Sequence, residues 1–377
     1  MAAKNRESNF ELLRIVAMIL IIAYHLTAHG VLYQLDDSVY SNPVFYNRLF
    51  IFQVIMSFGS IANASFFLIS GYYMAGREGK TVDLTKIGKR LILQLVFGAV
   101  ILSLGSMIFY KIQGSKIPTP VNLIDIRYVN DWVWFIGYYF IVIVIGAIFL
   151  NDSLRKMDRD HYRRLLVVLF LIVSLLFTSK LLENLMDNLN IVAGGIFFYA
   201  LGGYIRKYNP FEKLRAWVLA AIPVAILALL YLSYYNNTTT KIAQYLEDVG
   251  IRQLAGSGID TFKQPVFGIT DTGIITIVMA VTIFEITRRI NIGSIKPINY
   301  IARTTFMIYI IHDNEFWYDI WGLTKWVDMF YYTPRIFAVN YLKWIAIMFV
   351  IGTASYLLYS LTCKACNKLK FLAVRRV

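Results

Sequence analysis

RIVAMILIIAYH, residues 14–25, opens on an arginine and closes on a histidine, with ten mostly apolar residues between them. Extended on both sides, over 10–30, the stretch is long and apolar enough to cross a bilayer as a helix. Charge is costly there, and ionisable side chains in such a segment face the protein interior or a wet cavity. Helical geometry adds to this. Eleven residues at 100° each make about three turns plus 20°, so Arg14 and His25 point the same way, about 16 Å apart along the axis. Glu11, Met18, Ile22 and His29 lie close to the same stripe. Plainer readings exist for each residue singly: Arg14 as a snorkelling anchor, His25 as a hydrogen-bonded core histidine. Sharing one face favours a polar channel, with a cation at its mouth and a proton-exchanging group deeper in.

The rest of the chain repeats the pattern. Of 377 residues, 58% are hydrophobic and 16% charged, against about 45–50% and about 25% in soluble domains. The expected fold is an all-α integral membrane protein, one domain over 1–377, with ten spans in one bundle. The candidate spans are 10–30, 49–75, 91–110, 132–150, 164–181, 191–205, 216–235, 271–287, 298–312 and 341–362. Of the 37 Lys and Arg residues, 24 fall on one set of alternate connections, 11 on the other, and Arg14 and Arg303 within spans. Basic loops stay in the cytoplasm, so both termini are expected there.

The net charge of +14 follows from this topology, and no basic run interleaved with aromatics points to nucleic acid. Cys363 and Cys366 form a CxxC without two further ligands nearby, and read as reduced thiols. Lys4 and Arg6 before an apolar run resemble a signal peptide, but 26–30 offers no clear small-residue cleavage site, so a retained first span is expected. His25 and His29 are spaced i, i+4, as metal ligands often are, with His312 as a potential third; the expectation is no metal.

Several motifs, in order, resemble the membrane acyltransferase 3 family. ELLRIVAMILIIAYHLTAHG (11–30) is similar to its first span, with arginine, ten residues, then histidine. FFLISGYYM (66–74), Lys89-Arg90, WFIGYYFIVIVIGAIFLN (134–151), GGIFFYALGGYIRKY (194–208) and TFMIYIIHDN (305–314) match later pieces. The resemblance covers nearly the whole chain. It is to the short members from bacterial surface-polysaccharide clusters, which act on capsule, exopolysaccharide or O-antigen. It implies a multi-pass enzyme of the bacterial cell membrane that moves acetyl from cytosolic acetyl-CoA to a hydroxyl of a surface glycan or lipid-linked oligosaccharide. A homo-oligomer is compatible with this.

In that setting Arg14, Lys89 and Arg90 are the expected anchors for the phosphates of acetyl-CoA, with positive-inside topology as the plainer reading of the last two, and Arg14 counts with His25 as a catalytic residue. His25, whose ordinary pKa lies near neutrality, is the expected general base, with a transient acetyl-histidine as the variant. Ser70 either donates a hydrogen bond or helps Gly71 bring helices together. Trp134, Tyr309, His312 and Asp313 are candidate acceptor contacts; Tyr309 and His312 stand one turn apart. The aromatic segment 313–340 reads as a sugar-stacking platform or as an interfacial belt. The rival from another class is a transporter or flippase for lipid-linked sugars, and a glycan polymerase is a third reading.

Overall fold

The computed structural model describes residues 7–34, 50–52, 54–75, 82–114, 134–174, 189–235 and 273–374. Among them the chain is helical throughout, without strands. The helices are α1 (Ser8–His25), α2 (Phe58–Met74), α3 (Leu84–Gln113), α4 (Trp134–Ile145), α5 (Asn151–Lys156), α6 (Arg159–Ser174) and α7 (Leu189–Tyr208). They continue with α8 (Ala216–Tyr235), α9 (Ile274–Arg289), α10 (Lys296–His312), α11 (Glu315–Gly322), α12 (Trp326–Tyr332) and α13 (Pro334–Val374). Each expected span overlaps one of these helices over its described residues, but the ten spans are not all shown as crossings. Among the described residues, six helical segments are long and apolar enough to cross a membrane: Ser8–Gln34, Phe50–Met74, Leu84–Gln113, Trp134–Lys156, Leu189–Tyr208 and Pro334–Lys368. The polar loop 236–270 lies outside the described residues.

Local chemistry sets several boundaries. Asp83 caps α3 by accepting from the Lys86 N–H at 2.9 Å. Pro297 in the first turn of α10 and Pro334 at the start of α13 sit where no intrahelical N–H bond is lost. The Asn314 side chain caps α11 by accepting from the Trp317 N–H.

Apolar side chains stand open along the outside of the bundle, among them Ile92, Val96 and Ile108 of α3, Val224 and Leu229 of α8, and Val350 of α13. Soluble monomers rarely show contiguous apolar surface on this scale; here it is the lipid-facing belt of a membrane protein. Lipid tails are as apolar as leucine, so helix association depends on close packing and buried hydrogen bonds. The α2–α7 contact shows this most clearly. A Cβ placed on Gly71 would lie 1.8 Å from Tyr199 O, and one on Gly202 would lie 2.2 Å from Leu68 O. The two backbones touch there, and only glycine fits.

The basic connections meet at one end of the bundle. Ser8 N donates to Gly293 O at 3.0 Å, Arg155 donates to Ala75 O, and Lys207 donates to Arg155 O and Met157 O. Arg288 and Arg289 share the buried Glu285 at 2.7 Å and reach across to Asn209, Phe211 and Leu214. Charge counting grouped these same segments on one side.

The other end is capped by protein. Past His25, α1 opens into a π turn, Leu26–Val31, a departure that clusters at functional sites. Tyr341 of α13 holds it, donating to Ala23 O at 2.7 Å and meeting Thr27 Oγ1 at 2.7 Å. α11 and α12 fold over the turn, tied by Gln34 to Gly322 O, Thr324 O and the Trp326 N–H. Trp321 and Trp326 are fully buried, with Trp326 Nε1 donating to Trp321 O. These tryptophans therefore form neither an open sugar platform nor an interfacial belt; they are the core of a lid on the π turn. Tyr332 alone of the segment's aromatics is largely open, at 74% exposure.

Candidate functional site

The 3.6-residue period of α1 carries one stripe of side chains from the basic end to the capped end, and α10 runs beside it. At the capped end the two helices bring His25 and His312 together. His25 Nδ1 lies 3.2 Å from His312 Nε2 and 3.1 Å from Asp313 Oδ1, and the two rings stack with centroids 5.1 Å apart. Both imidazoles and the carboxylate are buried. Tyr318 of α11 donates its hydroxyl to the same Asp313 oxygen. Its ring lies flat on His29, with centroids 3.6 Å apart and planes 4° apart.

These contacts fix the tautomers. His312 Nδ1 is 3.0 Å from Ile308 O, which can only accept, so that nitrogen carries the hydrogen and Nε2 is bare. His25 Nδ1 then faces two acceptors, His312 Nε2 and Asp313 Oδ1, and must itself carry a hydrogen. In the neutral ring this leaves His25 Nε2 as a bare lone pair, able to take a proton. Asp313 also stabilises the imidazolium that would result, the role of the third member in triads of nucleophile, base and orienter.

Towards the basic end, α1, α2, α3, α4, α10 and α13 enclose a cavity of about 490 Å³. Three arginines stand on its wall: Arg14 of α1, Arg90 of α3 and Arg303 of α10. Arg14 pairs with the buried Glu11 carboxylate through Nη1 at 3.0 Å, which leaves the rest of its guanidinium fork for a ligand. Deeper in, the wall turns apolar with Met18, Phe66 and Phe135, and Tyr309 closes it. The Tyr309 ring stands edge-on to His312 at 5.6 Å. Tyr309, on the cavity wall, thus meets His312, and His312 meets His25, which lies behind the wall and not on it.

The remaining candidates separate. Lys89 is exposed and is not on the cavity wall; adjacent residues on a helix diverge by 100°, so the placement of Arg90 turns Lys89 away. Ser70 donates to Phe66 O at 2.8 Å and meets the cavity-lining Tyr139 Oη at 2.8 Å, while its neighbour Gly71 makes the close approach to α7. Trp134 sits at the start of α4, half-open, beside a separate small pocket with Phe67 and Phe198. Tyr309, His312 and Asp313 are buried at the end of α10. Among the described residues no three His, Cys, Asp or Glu side chains converge as a metal-binding group. Arg303 and Tyr318 were not singled out by the sequence. Arg303 carried a signal, a second arginine inside a span; Tyr318 was legible only as one of the aromatics of 313–340, since only the folding of α11 brings it to Asp313.

A family profile described as an acyltransferase domain matches residues 7–360. No curated protein and no solved structure matches the chain. The matched range holds all six long apolar segments apart from the tail of the last, together with the arginine cavity and the His25–His312–Asp313 cluster. The chain belongs to the acyltransferase 3 family and is a membrane acyltransferase.

Proposed function

We propose that the protein is an O-acetyltransferase of the bacterial cell membrane that moves acetyl from cytosolic acetyl-CoA to a hydroxyl of a surface glycan. The observation that carries this reading is the cavity with three arginines on its wall, closed by Tyr309, whose ring stands against His312, the partner of His25 Nδ1. Phosphates of the donor bind to Arg14, Arg90 and Arg303 by charge-assisted hydrogen bonds, and the thioester reaches inward. The acceptor hydroxyl, on the His25 side of the Tyr309 wall, gives its proton to His25 Nε2 as its oxygen attacks the thioester carbonyl held at that wall. The tetrahedral adduct then collapses, the C–S bond breaks, and the proton returns to the coenzyme A thiolate. Asp313 and His312 hold the His25 ring during transfer. In a ten-span layout with both termini cytoplasmic, the arginine mouth faces the compartment of the donor.

Two measurements test this. Calorimetric titration of the purified protein with acetyl-CoA should give saturable binding, whereas a flippase for lipid-linked sugars predicts none. A topology reporter fused after residue 292 should read cytoplasmic; an external signal there would overturn the ten-span layout.

A further inference from the structure

Gln94 stands in the middle of α3, flanked by apolar residues in the run LILQLVFG (91–98). Its side chain is 5% exposed and lines the arginine cavity, and its Oε1 has no hydrogen-bond partner. A buried polar atom left unsatisfied is destabilising by about 1–3 kcal/mol, and beside a cavity a small turn of the side-chain amide lets a ligand group meet it. Gln94 lies four residues beyond Arg90 on the same face of α3, about 6 Å further from the basic end. On the facing helix α10, Arg303 precedes Tyr309 in the same inward direction. The wall therefore reads, in order, three cations, one amide, then a hydroxyl at the closed end, with apolar surface from Met18, Phe66 and Phe306 around the amide.

We infer that Gln94 is a recognition residue for the pantetheine arm of the acyl donor, with its side-chain amide paired to one of the arm's secondary amides. This rests on the acetyl-CoA reading above. An acyl thioester of coenzyme A carries its charges at one end, two amides separated by alkyl segments in the middle, and the reacting carbonyl at the other. The cavity presents complementary groups in that order. A secondary amide has both a donor and an acceptor, so it satisfies Gln94 whichever way the side-chain amide is turned. The contact fixes how far the arm enters and so where the thioester stops relative to Tyr309 and His25.

The test compares Gln94→Leu with the unsubstituted protein, in the same lipid nanodiscs, by calorimetry and thermal unfolding. Acetyl-CoA is titrated directly, and adenosine 3′,5′-bisphosphate, which has phosphates but no arm, by competition against it. Gln94→Leu should weaken acetyl-CoA about tenfold and leave the bisphosphate unchanged. Its melting temperature without ligand should equal or exceed that of the unsubstituted protein, because leucine removes an unpaired polar atom. Equal acetyl-CoA affinity in the two proteins would overturn the inference. So would a parallel loss for both ligands, or a fall in ligand-free stability, since either marks a structural role. Absence of acetyl-CoA binding to the unsubstituted protein is a different result, and removes the donor assignment itself.

Discussion

The two ends of the α1 stripe are built on opposite principles. At the basic end, Arg14, Arg90 and Arg303 are partly or fully open to the cavity and solvent, and only Arg14 is held by an ion pair with a buried acid. At the capped end, each residue of the cluster is held by a partner. His25 is bound by Asp313 and His312, His312 by Ile308 O, Asp313 by Tyr318, and Tyr318 by its stack on His29. Long flexible cations can gather a polyanionic ligand from water, and their charge acts even when geometry is loose. Proton transfer tolerates no such looseness, since reacting atoms must be held near hydrogen-bond distance. On the proposed function, binding falls to one end and chemistry to the other, and mutations should separate along that line.

The largest effect is expected at the locked end. His25→Ala should reduce acetyl transfer to background in purified protein, while acetyl-CoA affinity stays within about twofold, because the arginine mouth is untouched. Retained turnover would break the division. Asp313→Asn should come next. It keeps the shape but gives His25 a partner that can donate as well as accept, so the His25 tautomer is no longer fixed; kcat should fall about a hundredfold with KM little changed. A rise in KM with intact kcat would instead make Asp313 an acceptor contact.

At the open end the losses should be smaller and of the other kind. Arg14→Ala should raise KM for acetyl-CoA about tenfold and leave kcat nearly intact. Because Arg14 also neutralises Glu11, the double variant Glu11→Gln/Arg14→Ala is needed to keep lost stability apart from lost binding. The smallest effect belongs to Lys89→Ala. Lys89 is adjacent to Arg90 in sequence but off the cavity wall, so KM should not change measurably; a tenfold rise there would mean the cation set has been drawn wrongly.

Much of this division was legible before the fold was known, and the reason is periodicity. A helix is a ruler, so the spacing of Arg14 and His25 fixed their common face and their two depths. Alternating basic connections grouped the segments that meet at one end of the bundle. The short-range signal also reached His312 and Asp313 at the end of α10, as separate candidates. What it lacked was tertiary pairing: His25 and His312 are 287 residues apart, and nothing local says that one orients the other. The π turn at Leu26–Val31 carries no recognisable spacing either, because it is held from outside by Tyr341 of α13. The aromatics of 313–340 misled for a related reason. Trp and Tyr interspersed with acids look alike in a membrane belt, a sugar platform or a buried lid, and only the packing of α11 and α12 on the turn distinguishes them. Gln94 did leave a trace, as a lone amide in an apolar run, and a reading alert to uncharged polar residues within spans would have marked it.

The central claim is that the locked histidine cluster transfers acetyl to a surface glycan. The most direct measurement is the O-acetyl content of that glycan, purified from cells lacking the protein and complemented with either the unsubstituted chain or His25→Ala at matched membrane expression, and read by proton NMR. The account predicts O-acetyl signals with the unsubstituted chain and none with His25→Ala. Equal O-acetylation in the two would contradict it.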